Sequence, residues 1–228
     1  MSRFLIACSL VAALSSTAMA RSVAVPAPFA QPPAADVYMP DRFAAPARIV
    51  DRATVRAKLL EQRATNLANF RAYVQRGVFP NNTYRKGKLN VWIDAAGNLC
   101  AAATMLNDSG LGDLVTRVGE QNNFIRLRDV SQGPLMDWML MSGLTQAEIV
   151  AIQEPGSMVG IVRSRQSVEP MPSPILVDAD LRGAEDVRLA RRYKQVDAMI
   201  MKNQKRSLDA ATDRLMKNPE LAWKLING

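Results

Sequence analysis

Apolar residues recur with a helical period in the early part of the chain. From Asp51 to Arg76 they fall within one broad arc when successive residues are placed about 100° apart. The residues on this arc are Val55, Leu59, Leu60, Leu67, Phe70 and Val74. Gly77 follows directly, and a glycine in that position is a frequent C-terminal stop. The pattern therefore predicts one long amphipathic helix over 51–76.

Shorter elements are predicted between this helix and Pro155. Two segments alternate in the manner of strands, and two others have the composition of helices that begin after a turn. In chain order they are a strand at Leu89–Ile93, a helix at Leu99–Asn107, a strand at Phe124–Leu127 and a helix at Pro134–Met141. Thr145 and Glu148 have the spacing of a capping box, which predicts one more short helix. Gly77, Gly110 and Gly143 stand at regular spacing as predicted helix stops.

The C-terminal part of the chain has a narrow apolar stripe with the spacing of a helix. Its members are Leu189, Tyr193, Val196 and Ile200, and cations lie on the opposite arc at Arg188, Arg191, Lys202, Lys205 and Arg206. Ser207 is a candidate N-cap for a helix over Leu208–Lys217, and Asn218 with Pro219 is typical of another helix start. This pattern predicts a basic amphipathic helical tail.

These elements predict a mainly helical protein. The central domain could include one small two-stranded β element, and a helical segment follows it. Proline-rich stretches mark the boundaries, because proline lacks an amide donor and favours extended chain. The predicted segments are a signal peptide at 1–20, a Pro/Ala-rich tether at 21–50, the central domain at 51–153, a Pro-containing linker at 154–179 and the basic tail at 180–228.

The first twenty residues have the three parts of a secretory signal peptide. Arg3 supplies positive charge, residues 4–14 are a short apolar run, and Ala18 and Ala20 are small residues before a cleavage site. We expect cleavage after Ala20 and a periplasmic or secreted protein. The run of 11 apolar residues is too short for a membrane span, which needs about 20, and the mature chain has no other candidate.

The amino-acid composition excludes several kinds of catalytic and metal-binding site. The 228 residues include no histidine, so Ser-His-Asp and Cys-His nucleophiles and His-ligated zinc are excluded. The remaining residues form no recognisable catalytic motif, metal-ligand cluster or cofactor-binding loop, so no metal or cofactor is expected. Cys100, the one cysteine left after cleavage, is predicted at a helix N-terminus. It is interpreted first as a small buried hydrophobe and second as a reactive thiol.

Positive charge is the remaining signal. The chain has 29 Lys and Arg against 21 Asp and Glu, a formal net charge of +8, of which Arg3 belongs to the signal peptide. Two of the cations, Arg56 and Arg63, fall within the apolar arc of the first long helix. For these, either the stem packs while the head reaches water, or the charge is held in a cleft for an anion. Further candidates are the basic loop at Arg85, Lys86 and Lys88 and the tail cations Arg188, Arg191, Lys202 and Lys205.

The sequence thus predicts a non-catalytic envelope or secreted binding or structural protein with a basic helical surface. Its expected partner is an anionic envelope polymer, a lipid surface, or a protein met through the C-terminal helix. No nucleic acid is expected, because no recognition motif accompanies the charge. Two alternatives remain open. One is a helical oligomerisation or docking module. The other is a hydrolase of envelope polysaccharide that uses two of the acids Asp94, Asp108, Asp113, Glu120, Asp129 and Asp137.

Overall fold

The computed structural model describes residues 49–83, 90–153 and 179–228. Within these ranges 72% of residues are helical and no strand occurs, which confirms the predicted mainly helical class. The predicted signal peptide, nearly all of the tether and linker, and the basic loop at Arg85, Lys86 and Lys88 lie outside the described residues.

Eight α-helices and one short 3₁₀ turn make up the described part of the fold. The helices are α1 (Arg52–Arg76), α2 (Ala101–Asp108), α3 (Gly112–Asn122), α4 (Pro134–Met141), α5 (Gln146–Gln153), α6 (Ala179–Lys202), α7 (Gln204–Leu215) and α8 (Pro219–Asn227). The 3₁₀ turn is Leu127–Asp129, between α3 and α4.

Helix α1 confirms the prediction for 51–76. Asp51 caps its N-terminus by accepting a hydrogen bond from the amide of Thr54, and Gly77 ends it in the left-handed conformation with φ 66°. Most of the predicted arc is buried. Leu60 is the exception, with 40% of its surface exposed. Since the helix is capped at both ends, its long buried face is presented to the rest of the fold as one element.

The predicted strand at Leu89–Ile93 is wrong over its described residues. Only one isolated antiparallel bridge forms there, between Ile93 and Leu99. Asn123, at the end of α3, takes up the backbone groups that a partner strand would use. Its carbonyl accepts from Trp92, and its side chain bonds both the amide and the carbonyl of Ile93. The two-stranded β element is therefore reduced to a single pair of residues.

The predicted strand at Phe124–Leu127 is also wrong, and glutamine side chains explain why. The amide of Gln153 donates to Ile125, and its carbonyl oxygen accepts from the amide of Leu127. Gln146 donates to the carbonyls of Leu127 and Val130. These two residues stand at the ends of α5, so they satisfy the loop's backbone without a neighbouring strand.

The predicted short helices agree with the structure at some of their boundaries, but those predicted at Leu99–Asn107 and Leu208–Lys217 are Ala101–Asp108 and Gln204–Leu215. Pro134–Met141 is exact, and the Thr145–Glu148 capping box forms at the start of α5. Asn218 caps α8 through its side chain. Ser207 is not an N-cap, because α7 already begins at Gln204, after one non-helical residue.

Helix α1 runs antiparallel to α6 and α7 taken together. Three ion pairs mark the alignment: Arg52 with Asp213, Arg56 with Asp209, and Arg71 with Asp197. Apolar packing follows the same order. Near the C-terminus of α1 the core includes Leu67, Phe70, Tyr73, Tyr193, Val196 and Ile200, and near its N-terminus a second cluster contains Val55, Leu59, Leu208, Ala211 and Leu215. The predicted boundary between 51–153 and 180–228 therefore separates residues that share one core, and the Leu189–Ile200 stripe packs within the chain.

The turn between α4 and α5 lies directly against the backbone of α1. Gly143 has φ 75°, and a Cβ built on it would collide with the carbonyl oxygen of Leu59 and stand 2.7 Å from the amide nitrogen of Arg63. Asn66 donates to the carbonyl of Ser142 at 2.9 Å across the same contact. Gly143 is therefore required both by its backbone conformation and by the closeness of α1.

We expect Gly143→Ala to lower the free energy of unfolding by about 3 kcal/mol or more, because backbone strain and overpacking add. The matched control is Gly110→Ala. Gly110 also has a left-handed φ, of 79°, but nothing lies within 4 Å of the added Cβ. Strain alone should cost about 1–2 kcal/mol there. Denaturant unfolding of both variants measures the difference, and equal losses would contradict the close contact at Gly143.

Candidate functional site

The predicted cationic site residues fall into three sets: those outside the described residues, those in ion pairs within the chain, and those exposed without an ion pair. Arg85, Lys86 and Lys88 lie outside the described residues. Three others are engaged in ion pairs inside the chain, namely Arg56, Arg63 and Arg188. The last three, Arg191, Lys202 and Lys205, are exposed, and none of them has an ion pair within the described ranges.

Arg63 is buried, with only 1% of its surface exposed. Its guanidinium donates to both carboxylate oxygens of Glu148, at 2.7 and 3.0 Å, and to the backbone carbonyls of Gly143 and Ile200. Both sequence interpretations of Arg63 are therefore wrong, because the head neither reaches water nor lines an open cleft. The missing information was the partner, Glu148, which the sequence identified only as a member of a capping box.

The carbonyl of Ile200 is available to Arg63 because the series of i to i−4 backbone hydrogen bonds is interrupted between α6 and α7. The amide of Asn203 still donates to Met199, and that of Ser207 to Asn203, but the bond from Gln204 to Ile200 is missing from this series. Arg63 replaces it at 3.2 Å. One side chain of α1 thus holds α5, the α4–α5 turn and the α6–α7 break together.

Glu148 is 4% exposed and ionised in this arrangement. Burial acts to raise its pKa, but hydrogen bonds from Arg63 and from the amide of Thr145 outweigh burial. The resulting pKa lies below the ordinary value of 4.5. A carboxylate whose pKa is lowered by folding adds stability above its ordinary pKa, and this stability is lost as the pH falls through the folded value.

We expect Glu148→Gln to cost about 3–5 kcal/mol at neutral pH, because it leaves the charge of Arg63 buried without its counter-ion. Glu61→Gln is the control, since the Lys58–Glu61 pair is exposed and its loss should cost about 0.5 kcal/mol or less. Between about pH 6 and pH 3 the parent protein should lose more stability than Glu148→Gln. Denaturant unfolding across that range measures both effects, and parallel pH curves would contradict the assignment.

The other arginines of α1 are paired with acids of α6 and α7. Arg56 donates to Asp209 at 2.7 Å, and this hydrogen bond is the main cause that lowers the pKa of Asp209. Arg71 makes a bidentate contact with Asp197 through two of its nitrogens. On the tail, Arg188 is bidentate with Glu185 at 2.6 Å. These contacts compensate the charge of Arg56 and Arg188, so neither offers an unpaired cation to a ligand.

The outward side of α6 carries unpaired cations. At about 100° per residue, Arg191, Lys194 and Lys202 fall within one arc of about 80°, directly opposite the buried Tyr193 and Ile200. All three cations are exposed and lack an ion pair within the described residues. We call Arg191, Lys194 and Lys202 the basic face. Sequence reasoning missed Lys194, although its spacing of three residues from Arg191 was the available signal.

A cleft of about 350 Å³ lies beside the start of α6, lined among others by Asp94, Asn98, Arg182 and Asp186. Both of its acids are engaged. Asp94 accepts hydrogen bonds from the amides of Asn81, Ala96 and Asn98 and from the Asn98 side chain, and Asp186 pairs with Arg182. Asp94 is the only one of the six candidate acids that lines this cleft. Its contacts are those of a residue that stabilises a turn.

Cys100 caps α2, and its sulfur accepts from the amide of Ala103 at 3.5 Å. It is 2% exposed. Burial raises its pKa to about 12, outweighing the opposite effect of the hydrogen bonds from the amides of Ala103 and Ala102. At neutral pH the thiolate fraction is negligible, so Cys100 has the character of a buried apolar residue.

In the chain Arg21–Gly228, where Cys100 is the only thiol, we expect labelling by a disulfide reagent at about pH 8 to be at least a thousandfold slower in the folded than in the unfolded protein. Reaction then requires opening of the fold. A stopped-flow comparison with and without guanidinium checks this, and rapid labelling under native conditions would identify a reactive thiol instead.

In the described ranges, no set of three or more Cys, Asp or Glu side chains is arranged to hold a metal ion. None of the described helices combines the length and the apolarity needed to cross a bilayer. No protein family model matches the chain, and no curated protein and no solved structure does so either.

Proposed function

We propose that this chain is an exported, non-catalytic protein that binds an anionic envelope polymer through the basic face. The observation that carries the proposal is the row of exposed, unpaired cations at Arg191, Lys194 and Lys202 on one side of α6. Lys205, three residues after Lys202, is exposed in the first turn of α7.

The helix that carries the basic face is held in place by packing of its opposite side. The opposite side of α6 is buried through Tyr193, Val196 and Ile200, which are at most 7% exposed. The rings of Phe70, Tyr73, Phe79 and Tyr193 also pack together, with centroids 5.4 to 5.7 Å apart. Since the backbone of the helix is fixed by this packing, the Cα atoms of its outward cations keep a constant spacing when a ligand binds.

Internal ion pairs leave this face without neutralising acids. Asp197, the acid of α6 that lies between Lys194 and Lys202 in sequence, contacts Arg71 of α1. Asp209 of α7 contacts Arg56 in the same way. Because Asp197 and Asp209 are turned towards α1, the positive charge between Arg191 and Lys202 is not neutralised by them.

Lysine and arginine on an open face supply charge and hydrogen-bond donors, which suit the binding of sulfate, phosphate or carboxylate groups. The absence of histidine and the burial of Cys100 leave this face without a conventional nucleophile and base. The predicted export signal at residues 1–20 supports a ligand in the envelope or outside the cell.

The test compares two variants that each remove one Arg and two Lys. Arg191→Gln/Lys194→Gln/Lys202→Gln neutralises the basic face, and Arg117→Gln/Lys217→Gln/Lys224→Gln neutralises exposed cations elsewhere. With long-chain polyphosphate or polygalacturonate as the probe, the first variant should bind about a hundredfold more weakly, at about 1 kcal/mol per cation. The second should retain most of the affinity.

Titration calorimetry at about 50 and 300 mM salt measures these affinities, since binding to exposed cations weakens as salt screens them. Circular dichroism and thermal unfolding verify that both variants fold. Equal losses in the two variants, or binding that is insensitive to salt, would contradict the proposed function.

A further inference from the structure

The exposed cations form two groups: Arg191 with Lys194 on α6, and Lys202 at the end of α6 with Lys205 on α7. Arg191 and Lys194 are separated by about 4.5 Å of helix rise, whereas Lys202 lies about 12 Å beyond Lys194, at 1.5 Å per residue. Lys205 stands three residues after Lys202, on α7. From Arg191 to Lys202 the row extends about 16 Å. A single small anion can therefore contact one group but not both.

The surface between the two groups is open. Ala198 lies on the same arc as Arg191 and Lys202 and is exposed, and its methyl group projects little from the helix. Met201, 44% exposed, is the larger neighbour. Between Arg191 and Lys202 the single acid of α6 is Asp197, which lies off this arc and pairs with Arg71. A chain of negative charges laid along α6 would meet no repulsive group between its two ends.

We propose that the ligand is a linear polyanion that lies along α6 and contacts both cation groups at once. This proposal rests on the proposed function and adds the shape of the ligand. Contact with the second group becomes intramolecular once the first is occupied, so affinity should rise steeply when the polymer is long enough to reach both.

A bilayer surface fits the basic face less well than a polymer. Amphipathic helices that lie in a membrane insert the apolar side opposite their cations. In α6 that side is Tyr193, Val196 and Ile200, and all three belong to the protein core. The large apolar side chains that remain exposed beside the cations are Val187, one turn before Arg191, and Met201. Two separate side chains offer little surface to anchor a helix in lipid.

The experiment measures affinity as a function of polymer length. Tripolyphosphate is shorter than the distance between the two groups, whereas long-chain polyphosphate extends beyond it. With concentrations expressed as phosphate units, we expect the long chain to bind at least tenfold more tightly. Oligomers and polymers of galacturonate, compared in the same way, show whether spaced carboxylates replace phosphates.

Two double variants locate the contacts. Arg191→Gln/Lys194→Gln removes one group and Lys202→Gln/Lys205→Gln the other, and each should reduce the affinity for the long chain at least tenfold and abolish the length dependence. Equal affinity of short and long chains in the parent protein, or an effect of only one double variant, would overturn this inference while leaving the proposed function intact.

Two further outcomes separate the explanations. If no polyanion of any length binds, the proposed function and this inference fail together. If vesicles of phosphatidylcholine with phosphatidylserine bind more tightly than the long polymers, and the triple variant of the basic face loses that binding, the ligand is a lipid surface and the polymer proposal is wrong.

Discussion

The fold depends on the buried positive charge of Arg63. A guanidinium taken out of water is tolerated only when its charge is compensated and most of its donors are paired. The Nε of Arg63 is buried without a hydrogen-bond partner among the described residues, and its other two nitrogens carry all of the contacts. Glu148 supplies the counter-charge, and two backbone carbonyls supply further acceptors. Since these partners come from α5, from the α4–α5 turn and from the end of α6, one side chain sets where three separate elements stand against α1. Gly143 allows the approach, because any side chain there would push the turn away from α1.

The surface charge follows from the same alignment. Arginines of α1 neutralise Asp197, Asp209 and Asp213 along the shared interface, so the outward side of α6 carries no acid between Arg191 and Lys202. Total charge alone would not produce this result. What matters is that Asp197, Asp209 and Asp213 pair with α1, whereas Arg191, Lys194 and Lys202 face outward.

The sequence predicted the helices well where the information is local. The period of α1, the glycine at its end, the capping box of α5 and the Asn218 cap of α8 each depend on residues a few positions apart. The predicted strands failed because alternation at Phe124–Leu127 says nothing about Gln146 and Gln153, whose side chains bind that backbone. The ion pairs of Arg63 and Arg56 could not be predicted either, because their partners lie 85 and 153 residues further along the chain. By contrast, Arg191 and Lys202 were recognisable as site candidates, since exposure on the side opposite an apolar stripe is a local property.

The antiparallel contact between α1 and α7 joins residues up to 161 positions apart, as in the bond from Arg52 to Asp213. Val55 and Leu59 have their buried cluster partners on α7 and α8, so the N-terminal part of the apolar face of α1 stays incompletely covered until these C-terminal residues are available. A chain built in this way cannot complete its core during synthesis from the N-terminus. Contacts that close such long loops form slowly, because the entropy of loop closure is lost before the contacts stabilise the chain.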